Sequence, residues 1–451
     1  MPFSPAPRRL LWRACAAVTT ASLAAFTTAA ASPSAHADIA LDAALGQSVI
    51  HTSDGRVFLR VSLKGIRPAH TVARPPANIA LVLDRSGSMR GSRLAAAKQA
   101  AIAALQRLAH DDLVSLVTYA HDVRVDQPAQ RLSRLDSLEQ RILALRAGGR
   151  TALHDGVVAG GRQVTRNASP RTINRVILLS DGLANVGPSR PDQLTALGAR
   201  LARQGMSVTT IGLGLSYNED LMAKLALASD GNHVFVERPA DLARIFDQEF
   251  GDVLSVIAKD VIIKVRVKAG FKPLRVLGRD AQISANEVRV RLSQLYGTQE
   301  KYLIIELAPT PSPFEGTRNI ADISVDYLNL QTQRRQRRSV QVGVRFSPSS
   351  AAAKRSIDPK VMSQVATQLA VQRNERALKL RDRGDVAAAR KLLERNAAEL
   401  RAKARAYGAP SLDRLSRTNA AQALQLDQRD WNRTRKAMRR EQHRSKVQQR
   451  Y

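Results

Sequence analysis

Three oxygen-bearing side chains, Asp84, Ser86 and Ser88, stand at alternate positions in one short segment. This segment follows the apolar run from Ile79 to Leu83, and Gly87 within it permits a tight turn. One carboxylate and two hydroxyls suit a hard cation that prefers oxygen ligands, such as Mg²⁺. A plainer alternative is a polar loop that caps the helix after it.

Two later residues have the same chemistry and a comparable position. Thr151 follows Gly148-Gly149-Arg150 and precedes an expected helix, and Asp181 follows the strand-like run from Val176 to Ser180. Open α/β sheets place ligands at the carboxyl ends of their strands, so we expect the three loops to meet there. The predicted metal ligands are Asp84, Ser86, Ser88, Thr151 and Asp181.

These five residues, in this order, resemble the metal-ion-dependent adhesion site of the von Willebrand factor A family. That site has the pattern D-x-S-x-S, then a threonine, then an aspartate. The resemblance covers about residues 79–250 and is closest to bacterial exported proteins with this domain, including those called calcium-activated chloride channel homologues. Segments 112–120 and 181–187 carry the likeness to this subgroup. The channel label is no evidence for conduction, because the sequence contains no pore-forming spans.

The resemblance implies one bound divalent cation, Mg²⁺, with Mn²⁺ or Ca²⁺ as alternatives. In the family the hydroxyls bind the ion directly and at least one aspartate acts through water. The ion therefore keeps a position that an Asp or Glu of a partner protein can take. We expect a metal-dependent protein–protein interaction or adhesion module, and not an enzyme.

The elements around this constellation alternate between strands and helices from Asn78 to about Val256. Short apolar runs at 79–83, 113–119, 176–179, 207–213 and 233–236 predict buried parallel strands. Helices are expected near 94–108, 134–146, 153–165, 191–203, 219–228 and from 241 to about 256. This rhythm predicts a doubly wound, Rossmann-like sheet with helices on both faces, over residues 77–256.

Strand patterns flank this region on both sides. Residues 47–65 read as two strands around a turn, and residues 260–346 alternate apolar and polar side chains in several strands. A single sheet needs a second face, so we expect a β-sandwich from residues 38–76 and 257–347. The α/β domain would then be inserted into it.

Residues 348–451 read as a basic helical tail, with 25 Lys and Arg against 10 Asp and Glu. Gly384 separates two helical stripes and indicates a helical hairpin. Arg383-Gly384-Asp385 lies at this turn, where glycine and aspartate are expected as helix stop and cap. The last 25 residues or so fit either a solvated helix or disorder.

The first 37 residues predict a cleaved targeting segment. Arg8, Arg9 and Arg13 precede a run of small and apolar residues, and Ala35-His36-Ala37 has the A-x-A cleavage pattern. The mature chain would begin at Asp38, in the periplasm or outside the cell. The only cysteine lies within this segment, so the mature chain would have no disulfide.

Other functions find little support in the sequence. No G-x-x-x-x-G-K-[ST] loop or G-x-G-x-x-G fingerprint exists, so no nucleotide is expected. His154-Asp155 lacks the further ligands of a metal-dependent hydrolase. The net charge of +31 fits anionic surfaces. Export and few aromatics in the tail argue against nucleic acid. An alternative is an envelope scaffold that binds anionic polymer or membrane through its basic tail, with a mainly structural metal.

Overall fold

The computed structural model describes Met1 and residues 38–51, 55–67, 74–132, 135–310, 316–427 and 431–449. The predicted targeting segment lies outside the described residues apart from Met1. None of the helices in the described ranges is long and apolar enough to cross a membrane.

Sixteen strands and eleven α-helices form the described part of the chain. The strands are β1 Asp38–Leu45, β2 Val49–His51, β3 Val57–Ile66, β4 Ala77–Asp84, β5 Leu113–Tyr119, β6 Val123–Arg131, β7 Ile173–Ser180, β8 Met206–Leu213, β9 His233–Val236, β10 Val256–Val267, β11 Phe271–Leu277, β12 Gln282–Ser284, β13 Glu287–Tyr296, β14 Glu300–Pro309, β15 Gly316–Asn329 and β16 Arg334–Ser347. The helices are α1 Ser92–Leu105, α2 Leu135–Ala144, α3 Leu153–Arg166, α4 Pro191–Arg203, α5 Glu219–Ala228, α6 Leu242–Val253, α7 Ser350–Arg355, α8 Pro359–Asp382, α9 Val386–Tyr407, α10 Pro410–Leu424 and α11 Trp431–Val447.

A six-stranded sheet in the order β6-β5-β4-β7-β8-β9 forms the α/β layer. Every pairing is parallel except that of β5 with the edge strand β6. Strands β4, β7 and β8 are buried along their whole length, because helices cover both faces. Helices α1, α2 and α6 pack on one face, and α3, α4 and α5 pack on the other. The doubly wound, mostly parallel sheet is therefore confirmed.

Two sheets, antiparallel except for the pairing of β2 with β16, lie outside this layer. One has the order β1-β3-β14-β11, and the other has the order β12-β13-β10-β15-β16-β2. Their facing side chains share one core, in which Val61 and Leu303 of the first sheet pack with Val265 and Ile323 of the second. The strands of this sandwich come from both sides of the α/β layer in the sequence. The limits 38–76 plus 257–347, 77–256 and 348–451 stay our proposal for the domains.

The expected hairpin at residues 47–65 is wrong in its pairing. β2 pairs in parallel with β16, whereas β3 pairs with β1 and β14, so the two strands belong to different sheets. Two strands, β1 and β6, were not anticipated. Both are edge strands. β6 is largely exposed and lacks the apolar alternation of a half-buried strand. β1 does alternate, with Ile39, Leu41, Ala43 and Leu45 on its core face.

The C-terminal helices pack against the rest of the molecule. Val361 and Val365 of α8 share a small core with Leu277 and Ile304 of the sandwich. Helices α9 and α10 pack on α8 and on each other. The Arg383-Gly384-Asp385 turn is structural: Gly384 has a φ of 91°, and the Asp385 side chain caps α9.

Helix α11, in the segment that the sequence leaves between solvated helix and disorder, binds the α/β layer through buried charges. Nζ of Lys436 donates to the carboxylate of Glu219 and, at 2.8 Å, to the carbonyl of Tyr217. Arg435 and Arg439 each bond Asp220 at 2.6 Å. Several cations of this basic helix are thus neutralised by acids at the start of α5.

Candidate metal centre

Three loops at the carboxyl end of the parallel sheet meet around Asp84. The N–H of Gly87 donates to the carbonyl of Gly149 at 3.0 Å, and the N–H of Gly148 donates to that of Arg85 at 2.8 Å. Two backbone hydrogen bonds therefore join the loop after β4 to the loop before α3. Gly149 has a φ of 81°, and a Cβ there would lie 2.3 Å from Nδ1 of His121, so this approach requires glycine.

Asp84 is fully buried and closely held. The N–H of Ser86 donates to its Oδ1 and the hydroxyl of Ser180 donates to its Oδ2, both at 2.8 Å. Burial raises the pKa of Asp84 to about 6, and the nearby Asp181 adds to the shift. Within the part of the chain that the structure describes, no cationic side chain bonds this carboxylate.

Asp181 is also fully buried, but a cation does reach it. The Ser88 hydroxyl donates to its Oδ1 at 2.6 Å, and Nη1 of Arg93 donates to its Oδ2 at 2.6 Å. The hydroxyls of Ser86 and Ser88 lie 3.1 Å apart. Because the proton of Ser88 points to Asp181, its oxygen has two lone pairs left, one to accept from Ser86 and one to face a cation.

Thr151 completes the group from the third loop. Its N–H donates to Oδ1 of Asn185 at 2.8 Å, which ties it to the loop after β7. A Cβ built on Gly182 would lie 3.2 Å from Oγ of Ser88 and 3.4 Å from Oγ1 of Thr151. The two hydroxyls therefore converge on the space beside Gly182, which the missing side chain leaves open.

The donor set fits a hard divalent cation. It offers two buried carboxylates and three hydroxyls, all oxygen. Within the described ranges, no group of three or more His, Cys, Asp and Glu could hold a metal. A site here would thus depend on hydroxyls as well as carboxylates, and the cation would supply the countercharge that Asp84 lacks.

Sequence reasoning missed two residues that touch the predicted ligands. Ser180 ends β7 and bonds Asp84, and Arg93 lies in the first turn of α1 and bonds Asp181. Ser180 directly precedes a predicted ligand, which is the only signal that the sequence offers for it. Arg93 has no sequence signal that separates it from the other arginines.

His154 and His233 do not join this group. His154 lies in the first turn of α3 and bonds the neighbouring Asp155 at 2.8 Å. His233 is buried in β9, where its Nδ1 lies 2.9 Å from the hydroxyl of Thr210. Burial holds the pKa of His233 well below its usual value, so this ring is neutral.

Comparison with known proteins gives relatives for most of the chain. The uncharacterized protein sll0103 of Synechocystis is 27% identical over 245 residues, 52% of this chain and 57% of that protein. A von Willebrand factor type A protein from Catenulispora acidiphila matches 84% of this chain and 90% of its own, with a TM-score of 0.67 and 17% identity. The ArnB paralog VWA2 from Sulfolobus acidocaldarius matches 90% and 98%, with a TM-score of 0.63 and 14% identity.

These matches bear on the fold more than on activity. The chain spans little more than half the length of the Synechocystis relative, and the two structures, at this low identity, show a shared fold alone. Residues 78–248 match the family model of the von Willebrand factor type A domain, a domain that commonly mediates metal-dependent protein–protein interaction. We conclude that residues 78–248 of this chain form a von Willebrand factor type A domain.

Proposed function

We propose that this protein is a metal-dependent interaction or adhesion module of the bacterial envelope. Asp84, Ser86, Ser88, Thr151 and Asp181 would hold one divalent cation, Mg²⁺ or alternatively Mn²⁺ or Ca²⁺. The ion, when bound, would supply the attraction for a carboxylate of a partner protein. The protein's own residues fix the ligands, exclude water from Asp84 and leave the hydroxyl side exposed at Ser88.

One observation carries this proposal. The Asp84 carboxylate is fully buried, accepts two hydrogen bonds and bonds no cation of the described residues. A buried, unpaired carboxylate is costly and is usually paired or metal-bound. The hydroxyls of Ser86 and Ser88 lie 3.1 Å apart, and Ser88 is exposed to solvent whereas Ser86 is buried.

The test is affinity capture from an envelope extract. Wild type, Asp84→Ala and Thr151→Ala serve as baits, each with Mg²⁺ and with EDTA. We expect wild type to capture a partner only with Mg²⁺, and Asp84→Ala to capture none. Thr151→Ala removes one ligand without changing charge. By the family resemblance, it should weaken partner binding more than it weakens metal binding.

A matched control is Glu394→Ala, which removes an exposed carboxylate on α9 that has no ion pair among the described residues. It should capture the partner as wild type does. Capture of the same partner by Asp84→Ala in EDTA would contradict the proposal.

We propose a location in the periplasm or outside the cell, after cleavage near Ala37. Asp38, the first residue of the expected mature chain, lies in β1. Its carboxylate accepts hydrogen bonds from the hydroxyl of Tyr327 and from Arg338. Amino-terminal sequencing of the natural protein should find Asp38. An intact Met1 on a soluble cytoplasmic protein would overturn this location.

A second candidate is a scaffold that binds anionic polymer or membrane through its basic helices. Lys391, Arg401, Arg405 and Arg414 are exposed on α9 and α10 and have no ion pair in the described structure. Replacing these four by Gln tests it better than deletion, because α8 and α11 pack into the molecule. If this change abolishes capture while EDTA and Asp84→Ala do not, the scaffold takes the place of the adhesion module.

A further inference from the structure

Three arginines, two on loops and one in the first turn of α1, lie close in sequence to the candidate metal ligands. Arg90 follows Ser88 by two residues and is exposed. Arg150 directly precedes Thr151, is exposed, and donates to the carbonyl of Asn185 at 2.7 Å. Arg93, in the first turn of α1, donates to the carboxylate of Asp181. We refer to Arg90, Arg93 and Arg150 as the arginine rim.

Two members of the rim carry unneutralised charge. Arg90 and Arg150 form no ion pair with any described acid, whereas Arg93 pairs with Asp181. The nearby acids are already engaged. Asp122 bonds Arg85 and Arg124, and Asp155 bonds His154.

An apolar side chain also stands exposed beside the centre. Leu183 follows Asp181 by two residues and is 58% exposed. It lies on the loop after β7, whereas Arg90 and Arg150 lie on the loops after β4 and before α3. Exposed cationic and apolar side chains therefore lie on different loops of the three that meet at the centre.

We propose that this face binds an acidic segment of its protein partner, with carboxylates on both sides of the one at the metal and an apolar side chain against Leu183. This inference rests on the proposed metal-dependent function and names the chemistry of the partner. Charge complementarity selects the occupant: two unpaired cations flank the site, so a single carboxylate would leave both unsatisfied. Flanking carboxylates add attraction and choice of partner.

The test uses short capped peptides in a glycine–serine background, labelled for fluorescence anisotropy. The first has one central Asp, the second has the same Asp flanked by two Glu, and the third adds a Leu to the second. With Mg²⁺ at about 0.05 M salt, the second should bind wild type about tenfold more tightly than the first, because two exposed ion pairs are gained. This preference should shrink at about 0.3 M salt.

The rim is tested by the double variant Arg90→Gln and Arg150→Gln. It should reduce the tenfold preference to about twofold or less. A matched control replaces Arg289 and Arg345 by Gln, also exposed and without ion pairs in the described ranges, and should keep the preference. Leu183→Ser should remove the gain from the added Leu, whereas Leu424→Ser, at an exposed leucine on α10, should not.

The outcomes separate this inference from the function beneath it. Suppose that all three peptides bind wild type equally well, and that this binding requires both Mg²⁺ and the Asp84 side chain. The acidic-segment inference is then wrong, while the metal-dependent function stands. If binding persists in EDTA or in Asp84→Asn, the proposed function itself fails. If the second peptide, with one Asp and two Glu, does not bind wild type in Mg²⁺, both the acidic-segment inference and the proposed function are overturned.

Discussion

The hydroxyl of Ser88 donates a hydrogen bond of 2.6 Å to Oδ1 of Asp181, a residue 93 positions further along the chain. This bond joins the loop after β4 to the loop after β7 at the candidate metal centre. The Ser88 oxygen and the carboxylates of Asp84 and Asp181 are among the ligands that the protein offers to a cation.

Replacing Ser88 by alanine should lower the affinity for Mg²⁺ by about tenfold or more, because it removes both a ligand oxygen and the bond that orients Asp181. Titration calorimetry measures this change. The fold should survive, since Ser88 is exposed. Ser92→Ala, an exposed serine four residues on, is the control and should bind Mg²⁺ as wild type does. Equal affinity in the two variants would remove Ser88 from the site.

Ser180→Ala tests a residue that acts through Asp84. Loss of the 2.8 Å bond to Oδ2 should lower Mg²⁺ affinity less than loss of a ligand, by about threefold to tenfold. The free energy of unfolding should fall by about 1 kcal/mol, the worth of a buried hydrogen bond. Denaturant unfolding with and without Mg²⁺ gives both values. An unchanged affinity with lowered stability would make Ser180 purely structural.

The Lys436–Glu219 pair should hold α11 against the α/β layer. Both side chains are nearly fully buried, so Glu219→Ala leaves an unpaired buried cation and should cost about 3 kcal/mol of unfolding free energy. The control Glu237→Ala breaks the exposed pair with Arg433 and should change stability by less than about 0.5 kcal/mol. Restoration of stability in Glu219→Gln with Lys436→Met would locate the cost in the unpaired charge, and failure to restore it would refute that reason.

Acid should loosen the contact of α11 with β9 through His443. Burial lowers the pKa of His443 to about 4 from its ordinary 6.5, with Lys446 and Arg279 adding to the shift and Asp230 opposing it. As the pH falls below 6.5, the unfolded chain takes up the proton first. Stability is therefore full above about pH 6.5 and is lost towards pH 4, by up to about 3 kcal/mol.

Unfolding of wild type and His443→Gln between pH 7.5 and pH 4.5, as approximate limits, tests this linkage. The glutamine can still donate to the carbonyl of Gly231, which lies 3.1 Å from Nε2 of the histidine. The variant should lose less stability on acidification than wild type. Parallel pH profiles for the two proteins would show that His443 does not carry the effect.

The sequence predicts the α/β layer well because its buried strands are short apolar runs. Strand β9 and helix α5 have the expected bounds, 233–236 and 219–228. Strand β6 escapes prediction, since it is an exposed edge strand that contains Pro128 and alternates weakly. The pairing of β2 with β16 joins segments about 300 residues apart, and no local pattern encodes it.

Part of the candidate site could likewise be predicted from the sequence, and part could not. Convergence of the three loops follows from strand ends that lie side by side, and the structure places Asp84, Ser86, Ser88, Thr151 and Asp181 together. Ser180 and Arg93 act through other side chains, so their roles depend on contacts that spacing cannot reveal. The packing of α11 rests on buried charges such as Lys436, whereas periodicity detects only apolar faces.

The central claim is that this domain holds one divalent cation through Asp84. Titration calorimetry of Mg²⁺ into purified protein, with wild type and Asp84→Asn side by side, tests it most directly. We predict one ion bound per wild-type chain and none by Asp84→Asn, with unchanged circular dichroism for the variant. Equal binding of Mg²⁺ by both proteins, or no binding by folded wild type, would contradict the claim.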